Sequence, residues 1–250
     1  MKRTDGKKGD VMSQVIIITG GAGGIGSSLC RAFVNGGHNV VIADIDREAA
    51  DHLTAEIGKG VLSHPVDVGN REGVNRMVEE TVRRFGRIDV LLNGAGIMPR
   101  HPVKDISEEE WDRVLAINLK GVFLCSQAAA RHMAARKQGR IISIVSGRGV
   151  TGAANAAHYA ASKGGVIAFT KSLALELAPD NVLVNAIAPG AADTPMSNIY
   201  LSDSELQRRR TLSPLLGGYT RIDDIVGLVS YLISDAIKNV TGQVFFLKNP

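Results

Sequence analysis

The chain has 250 residues, 44% of them hydrophobic and 22% charged, and a formal net charge of +4 at pH 7. These proportions are typical of a globular domain and exclude a disordered or fibrous chain. The basic residues are scattered, so we predict no nucleic-acid partner. No apolar run reaches the ~18 residues of a membrane-spanning helix, so we predict no membrane partner and a cytoplasmic location.

The two cysteines, Cys30 and Cys125, each lie within an apolar helical pattern and do not form a Cys-x-x-Cys motif. This pattern is typical of reduced thiols in a core, so we predict neither a disulfide nor a metal site.

The chain opens with residues 1–10, which are polar and charged and predict a disordered lead-in to a single domain over residues 11–250. An apolar run at residues 15–18 then leads into a glycine-rich stretch at residues 19–26 and an apolar helical pattern. Glycines at such a turn let the backbone approach a pyrophosphate and direct helix N–H groups toward it. The order of strand, glycine turn and helix predicts a dinucleotide-binding unit.

Strands and helices then alternate to the end of the chain. Strands are predicted at residues 40–43, 61–68, 88–92, 140–145, 182–187 and 243–247. Helices are predicted at residues 47–57, 71–85, 119–136, 158–178 and 222–234, with one more that starts at a capping box formed by Ser107 and Glu110. Residues 191–216 are polar and weakly periodic, which predicts a lid. The fold class is therefore α/β, a Rossmann-type, doubly wound parallel sheet of seven strands with helices on both faces.

Polar and turn-forming residues follow the predicted strands directly. These are Thr19, Asp44, Asp67, Asn93, Ser146 and the pair Pro189-Gly190. Because parallel strands place their carboxyl ends at one edge of the sheet, we expect these residues to form one ligand site there.

Tyr159 and Lys163 are four residues apart on a predicted helix, so their side chains project from the same face. A nearby positive charge favours the phenolate form of a tyrosine, which makes it a better base. Ser146 is placed to hold a carbonyl oxygen beside the phenol. The pattern predicts acid–base chemistry at a carbonyl or alcohol, although such a pair by itself also occurs on ordinary helix faces.

Taken together, these motifs resemble the short-chain dehydrogenase/reductase superfamily, in its group of single-domain enzymes of about this length. The matching motifs are Thr19-Gly20 with Gly24 and Gly26, Asp67-Val68, Asn93-x-Ala95-Gly96, Asn118-x-x-Gly121, Ser146, Tyr159-x-x-x-Lys163 and Pro189-Gly190. The resemblance covers residues 11–243 or so and implies a hydride transfer between a nicotinamide dinucleotide and a small-molecule substrate.

The resemblance also implies a role for each matching residue. Tyr159 is the general acid or base, Ser146 orients the carbonyl, Lys163 binds a ribose and tunes the tyrosine, and Asn118 holds a water of a proton relay. An alternative for Asn118 is a structural interruption of its helix, and both roles are compatible. The implied cofactor-binding residues are Gly20, Gly24, Ile25, Gly26, Asp44, Asp67, Val68, Asn93, Ala95, Gly96, Tyr159, Lys163, Pro189, Gly190 and Thr194.

The choice of cofactor follows from charge at the end of the second strand. Asp44 can accept hydrogen bonds from both hydroxyls of the adenosine ribose, whereas the 2′-phosphate of NADP would meet a like charge. Arg47 is interpreted as a surface charge at a helix start. We therefore predict NAD as the cofactor.

The chain departs from the family pattern at three places. Gly94 replaces the usual Asn, Ala192 replaces a branched residue, and the segment at residues 245–250 replaces the usual Asp-Gly-Gly tail. The resemblance implies a homotetramer, or a homodimer, and this tail contributes to subunit contacts in similar proteins.

The substrate site is predicted between residues 97–101, 147–158 and 191–216. Arg148 is interpreted as a surface or structural residue, with a second hypothesis that it pairs with an anionic substrate group. His158 is interpreted as a packing or lid residue. The leading hypothesis is an NAD(H)-dependent enzyme that interconverts a secondary alcohol and a ketone; the alternatives are a 3-oxoacyl thioester reductase and a non-catalytic dinucleotide sensor.

Overall fold

The computed structural model describes residues 13–213, 215 and 217–247, so the predicted lead-in at residues 1–10 lies outside the described residues. The described chain forms a seven-stranded sheet in the order β3-β2-β1-β4-β5-β6-β7, in which all neighbouring strands are parallel. The strands are β1 (Val15–Thr19), β2 (Asn39–Asp44), β3 (Val61–Pro65), β4 (Val90–Asn93), β5 (Gly139–Ile144), β6 (Val182–Ala188) and β7 (Val244–Phe246). This arrangement confirms the predicted fold class.

Ten α-helices are described, and the longer ones cover the two faces of the sheet. They are α1 (Gly24–Asn35), α2 (Arg47–Ile57), α3 (Arg71–Phe85), α4 (Glu108–Leu115), α5 (Gly121–Ala135), α6 (Arg148–Thr151), α7 (Ala157–Leu177), α8 (Pro195–Asn198), α9 (Asp203–Thr211) and α10 (Ile222–Ile233). Among the described residues, no helix combines the length and apolar character that crossing a membrane requires.

The central strands β1 and β4 are buried on both faces and consist almost entirely of apolar residues. Ile17 and Leu91 face the side that α3 and α5 cover, whereas Ile16 and Leu92 belong to a second apolar layer that includes residues of α1 and α10. Both cysteines are buried free thiols, as predicted, and burial raises their pKa to about 12. Neither thiol is therefore suited to nucleophilic chemistry at neutral pH.

Side chains cap the starts of α2, α3 and α4, and the cap of α4 differs in part from the predicted capping box. The side chains of Asp46 and Asn70 accept hydrogen bonds from the N–H groups of Ala49 and Gly73, which start α2 and α3. Ser107 likewise accepts from the N–H of Glu110, but the Glu110 carboxylate is bonded to two histidines rather than back to the cap. The reciprocal half of the predicted capping box is therefore replaced by a tertiary contact.

Three predicted boundaries are wrong. The third strand ends at Pro65 rather than at residue 68, and the fourth begins at Val90 rather than at residue 88. The helix predicted to begin at residue 119 begins at Gly121, because residues Ala116–Lys120 form a π-helical turn that joins α4 to α5. A local apolar pattern does not distinguish these turns from the elements that they extend. The predicted lid segment contains α8 and α9.

Candidate active site

The turn after β1 brings the chain back onto itself with backbone contacts that leave no room for side chains. A Cβ atom at Gly26 would lie 2.1 Å from the carbonyl oxygen of Gly20, and one at Gly20 would lie 2.9 Å from the Cα of Ala95. Gly20 also has a φ of +66°, which non-glycine residues rarely adopt. These glycines let α1 begin directly at the carboxyl end of β1, where its first N–H groups can bind an anion.

Thr19 ties this turn to the loop after β4. Its Oγ1 accepts hydrogen bonds from the N–H groups of Gly94 (3.1 Å) and Ala95 (3.3 Å). A Cβ at Gly94 would lie 2.8 Å from the Thr19 carbonyl oxygen. The glycine that replaces the family's usual Asn at this position thus allows the two loops to pack backbone against backbone.

Asp44 closes the other side of the glycine turn. Its Oδ2 accepts a hydrogen bond from the N–H of Ala22 at 2.9 Å, and its Oδ1 accepts one from the N–H of Asp46 at 3.1 Å. Each carboxylate oxygen has a further lone pair, so the half-buried group is oriented and still able to accept hydrogen bonds from a ligand.

A cavity of about 440 Å³ runs along this edge of the sheet. The predicted residues that line it are Gly20, Gly24, Ile25, Gly26, Asp44, Asp67, Val68, Ala95, Gly96, Ser146, Tyr159, Lys163, Pro189, Gly190 and Thr194. A glycine cradle, a carboxylate at one end and a tyrosine–lysine pair at the other fit a dinucleotide in shape and in chemistry. The basic side chains among the described lining residues are Lys163 and Arg113, so the Asp44 end of the cavity has none.

Two predicted residues lie behind this cavity. The amide nitrogen of Asn93 donates to the hydroxyls of Ser126 and Ser143, and Asn93 is 2% exposed. Asn118 is fully buried in the π-helical turn. Neither side chain reaches the lining.

Asn118 connects the loop after β4 to the helix that carries the tyrosine. Its Oδ1 accepts from the N–H of Ile97, and its Nδ2 donates to the carbonyl of Ile97 and to the hydroxyl of Ser162. Both N–H groups of the Asn118 amide donate hydrogen bonds within the protein. This geometry is compatible with the alternative role of Asn118 as a structural interruption of its helix. Its role in a proton relay stays a prediction.

Tyr159 and Ser146 meet at one end of the cavity. Tyr159, near the start of α7, is 8% exposed, and its phenol and Ser146, which follows β5, lie at the same end of the cavity. Burial raises the pKa of Tyr159, while the nearby Ser146 hydroxyl and the positive charge of Arg148 lower it. The phenol is therefore protonated at neutral pH in this structure.

Lys163 lies one helical turn beyond Tyr159 and is 5% exposed. Its Nζ donates to the carbonyl oxygen of Ile144 at 2.8 Å and lies 5.8 Å from the centre of the Tyr159 ring. Burial lowers the pKa of Lys163 to about 8. In this structure the cation that lowers the pKa of the phenol is Arg148, so the tuning role of Lys163 stays a prediction.

A second cavity, of about 540 Å³, adjoins the tyrosine end. Residues shared by the two cavities are Gly96, Ile97, Arg113 and Met196. The second one is also lined by Met98 and Pro99, by Ile199 and Tyr200, and by Glu109 and Glu110 of α4. The α4 wall was not foreseen from the sequence, because the helix pattern of α4 carries no signal of what packs against it.

His158 is fully buried and is not a lid contact. Its Nε2 lies 2.9 Å from the Glu110 carboxylate, which also contacts His101 at 2.9 Å. The hydrogen bonds with both histidines help to lower the pKa of Glu110. This bridge holds the start of α7, and thus Tyr159, against α4.

The fold and the cavity define a Rossmann-type dinucleotide-binding protein with a Ser, Tyr and Lys group at one end of the site. The protein-family model described as short chain dehydrogenase matches residues 14–204. The chain belongs to this family of oxidoreductases, whose cofactor is NAD or NADP.

Individual relatives cover nearly the whole chain. A (2S)-[(R)-hydroxy(phenyl)methyl]succinyl-CoA dehydrogenase subunit from Thauera aromatica is 38% identical, over 95% of this chain and 96% of the relative. A 3-oxoacyl-[acyl-carrier-protein] reductase from Thermotoga maritima is 39% identical, over 92% and 94%. A cyclopentanol dehydrogenase from a Comamonas strain is 38% identical, over 94% and 95%.

Among solved structures, a 3-ketoacyl-(acyl-carrier-protein) reductase from Brucella melitensis complexed with NADH superimposes with a TM-score of 0.86. It is 29% identical, and the match covers 94% of this chain and 97% of that one. The relatives therefore share a fold and a family, while the reactions in their names differ.

Proposed function

We propose that the protein is an NAD(H)-dependent oxidoreductase that interconverts a secondary alcohol and a ketone. The observation that carries this proposal is that Ser146, Tyr159 and Lys163 lie in the same cavity as the glycine turn and Asp44. Two relatives support the reaction class, because their names describe the dehydrogenation of substrates with a secondary hydroxyl.

The nicotinamide dinucleotide supplies the hydride donor or acceptor. Around it, the proposed roles of the chain are those that the family resemblance implies, and the lining of the cavity supports them. The glycine turn and the N-terminus of α1 bind the pyrophosphate, Asp67 and Val68 contact the adenine, and Thr194 binds the nicotinamide carboxamide. Asn93, Ala95, Gly96, Pro189 and Gly190 complete the proposed cofactor site.

At the reacting end, Ser146 donates a hydrogen bond to the substrate oxygen while the Tyr159 hydroxyl moves a proton to or from that same oxygen. Lys163 places a positive charge beside the tyrosine and binds a ribose hydroxyl, and Asn118 holds a water of a proton relay. The raised pKa of Tyr159 suits it to act as an acid when a ketone is reduced.

The pH dependence of alcohol oxidation tests the assignment of Tyr159. Oxidation needs the phenolate, and below its pKa the ionised fraction falls about tenfold for each pH unit. Because the pKa of Tyr159 is raised, we expect kcat/KM for oxidation to increase with pH through the neutral range, with a logarithmic slope near one. Initial rates between about pH 6 and about pH 7.5, below the pKa of about 8 of Lys163, measure it; a flat profile would exclude Tyr159 as the titrating base.

Asp44 is the proposed determinant for NAD over NADP. Replacing it with Ala removes the carboxylate that repels a 2′-phosphate, and we expect the kcat/KM preference for NAD to fall by at least about tenfold. NAD affinity should fall too, because the hydrogen bond to the N–H of Ala22 is lost. Kinetics with both cofactors measure the ratio, with Asp46→Ala as the control; an unchanged ratio assigns the preference to another group.

A second candidate is reduction of a 3-oxoacyl thioester, which the name of the Thermotoga maritima relative favours. It uses the same residues and differs in substrate. A non-catalytic dinucleotide sensor is the alternative outside enzymes. We also propose a homotetramer, or a homodimer, which light scattering tests; the cytoplasmic location stays a prediction.

The deciding experiment measures initial rates with secondary alcohols, polyols and hydroxyacyl thioesters, each with NAD and NADP, and with Tyr159→Phe in parallel. Turnover of an alcohol with NAD that the variant lacks is the expected result. Preference for thioesters would favour the second candidate. Measurable NADH binding without turnover of any substrate would favour the sensor.

A further inference from the structure

Three arginines, Arg100, Arg148 and Arg209, lie close enough for the charges of Arg100 and Arg209 to act on Arg148. The Arg148 guanidinium is half-buried, and its Nη1 lies 3.3 Å from the sulfur of Met98. The Arg100 guanidinium stacks 5.6 Å from the centre of the Tyr200 ring. The Nε of Arg100 is buried and has no hydrogen-bond partner among the described residues.

This cluster carries more positive charge than the described part of the chain neutralises. Arg209 pairs with Glu205 at 2.8 Å, whereas neither Arg100 nor Arg148 forms an ion pair with any described residue. Burial and repulsion by Arg100 and Arg209 lower the pKa of Arg148. The charged form of Arg148 is therefore less stable here than it is in water. A thioether is a weak acceptor, so the Met98 contact compensates little.

The cluster lies beside the substrate end of the site. Met98 and Tyr200, which the two guanidiniums contact, line the second cavity, and the charge of Arg148 acts on the Tyr159 phenol. The carboxylates of this cavity, Glu109 and Glu110, come from its α4 wall, and Glu110 is bonded to two histidines.

We propose that Arg148 and Arg100 bind an anionic group, a carboxylate or a phosphate, carried by the alcohol or ketone substrate. The inference rests on the proposed function and adds the substrate class to it. An anion at this place supplies an acceptor for the buried Nε of Arg100 and a stronger acceptor for Arg148 than the Met98 sulfur. Charge-assisted hydrogen bonds of this kind are the strong ones. The 2′-phosphate of NADP is not the anion in question, because the cluster adjoins Tyr159 and Asp44 lies at the other end of the cavity.

The test compares ligands that differ in charge and little in shape. Acetoacetate is paired with acetoacetamide, benzoylpropionate with its amide, and dihydroxyacetone phosphate with dihydroxyacetone. For each pair, saturation-transfer NMR gives the dissociation constant of the ligand in the presence of NAD, with which a ketone does not react, and NADH oxidation gives the rates. The proteins are the wild type, Arg148→Gln, Arg100→Gln, and Arg221→Gln as the exposed control.

We expect at least one anion to bind the wild type about tenfold or more tightly than its neutral partner, which is about 1.4 kcal/mol. The preference should fall toward unity in Arg148→Gln and in Arg100→Gln and persist in Arg221→Gln. Because the charge of Arg148 also acts on the Tyr159 phenol, its loss changes turnover of both members of a pair alike, and the ratio within the pair isolates anion binding. The pair that shows the preference distinguishes carboxylate from phosphate.

Equal affinity for charged and neutral ligands in the wild type overturns the inference, as does a preference that both variants retain, or a failure of every anion to bind. The proposed function is judged separately. A charge preference in binding without NADH oxidation of any ketone counts against the proposed reaction and supports the anion site, whereas turnover of ketones without a charge preference does the reverse.

Discussion

Tyr159→Phe is expected to lower kcat by about 100- to 10,000-fold while the dissociation constant for NADH changes by less than about twofold, because general acid–base catalysis contributes on this scale. The substitution removes one oxygen from a side chain that is 8% exposed and leaves the ring in place. That oxygen lies beside Ser146 and is the group that we propose to exchange the proton with the substrate. Steady-state rates and a fluorescence titration with NADH measure the two effects.

The matched control is Tyr231→Phe, since Tyr231 is 55% exposed on α10 and lines neither cavity. It should retain wild-type rates. Activity of Tyr159→Phe close to the wild type would remove the tyrosine from the chemistry. Weak NADH binding in that variant would instead assign Tyr159 a structural role.

Gly26→Ala is expected to reduce NADH affinity by about 100-fold or more, because the cradle for the pyrophosphate cannot form around a methyl group. The new Cβ would lie 2.1 Å from the carbonyl oxygen of Gly20, and both groups belong to the backbone, so no side-chain rotation relieves the clash. Moving either backbone segment displaces the N-terminus of α1 from the end of β1. A titration with NADH, together with a thermal melt, separates lost binding from lost folding.

Gly227→Ala serves as the control for this variant. A Cβ at Gly227 meets no atom within 4 Å, and alanine is a better helix former than glycine, so α10 should be as stable or slightly more stable. NADH binding by Gly26→Ala at wild-type strength would show that the turn tolerates a side chain and that the pyrophosphate contact lies elsewhere.

Much of the fold follows from local pattern. The glycine turn, the capping residues of α2 and α3 and the alternation of apolar strands with helices each depend on residues close in sequence, and they suffice for the order of elements and the parallel sheet. Because parallel strands end at one edge, the same reasoning brings Asp44, Asp67 and Ser146 to a single cavity.

The ends of strands and helices were harder to predict, because an apolar turn and the strand that it follows have the same kind of sequence pattern. The apolar residues after Pro65 extend the pattern of β3 although the hydrogen-bonded ladder has ended. The π-helical turn that buries Asn118 is likewise set by its bonds to Ile97 and Ser162, which are distant in sequence.

What the sequence determined by itself is the family, the sheet and the residues at the strand ends, since each is encoded in short-range spacing. Only the tertiary structure decided which charges meet. Glu110 bridges His101 and His158 instead of completing its capping box, and Arg148 lies near Arg100 rather than near a carboxylate. Such contacts depend on how helices and loops pack across the sheet, and residues far apart in the chain leave no periodic signal of their pairing.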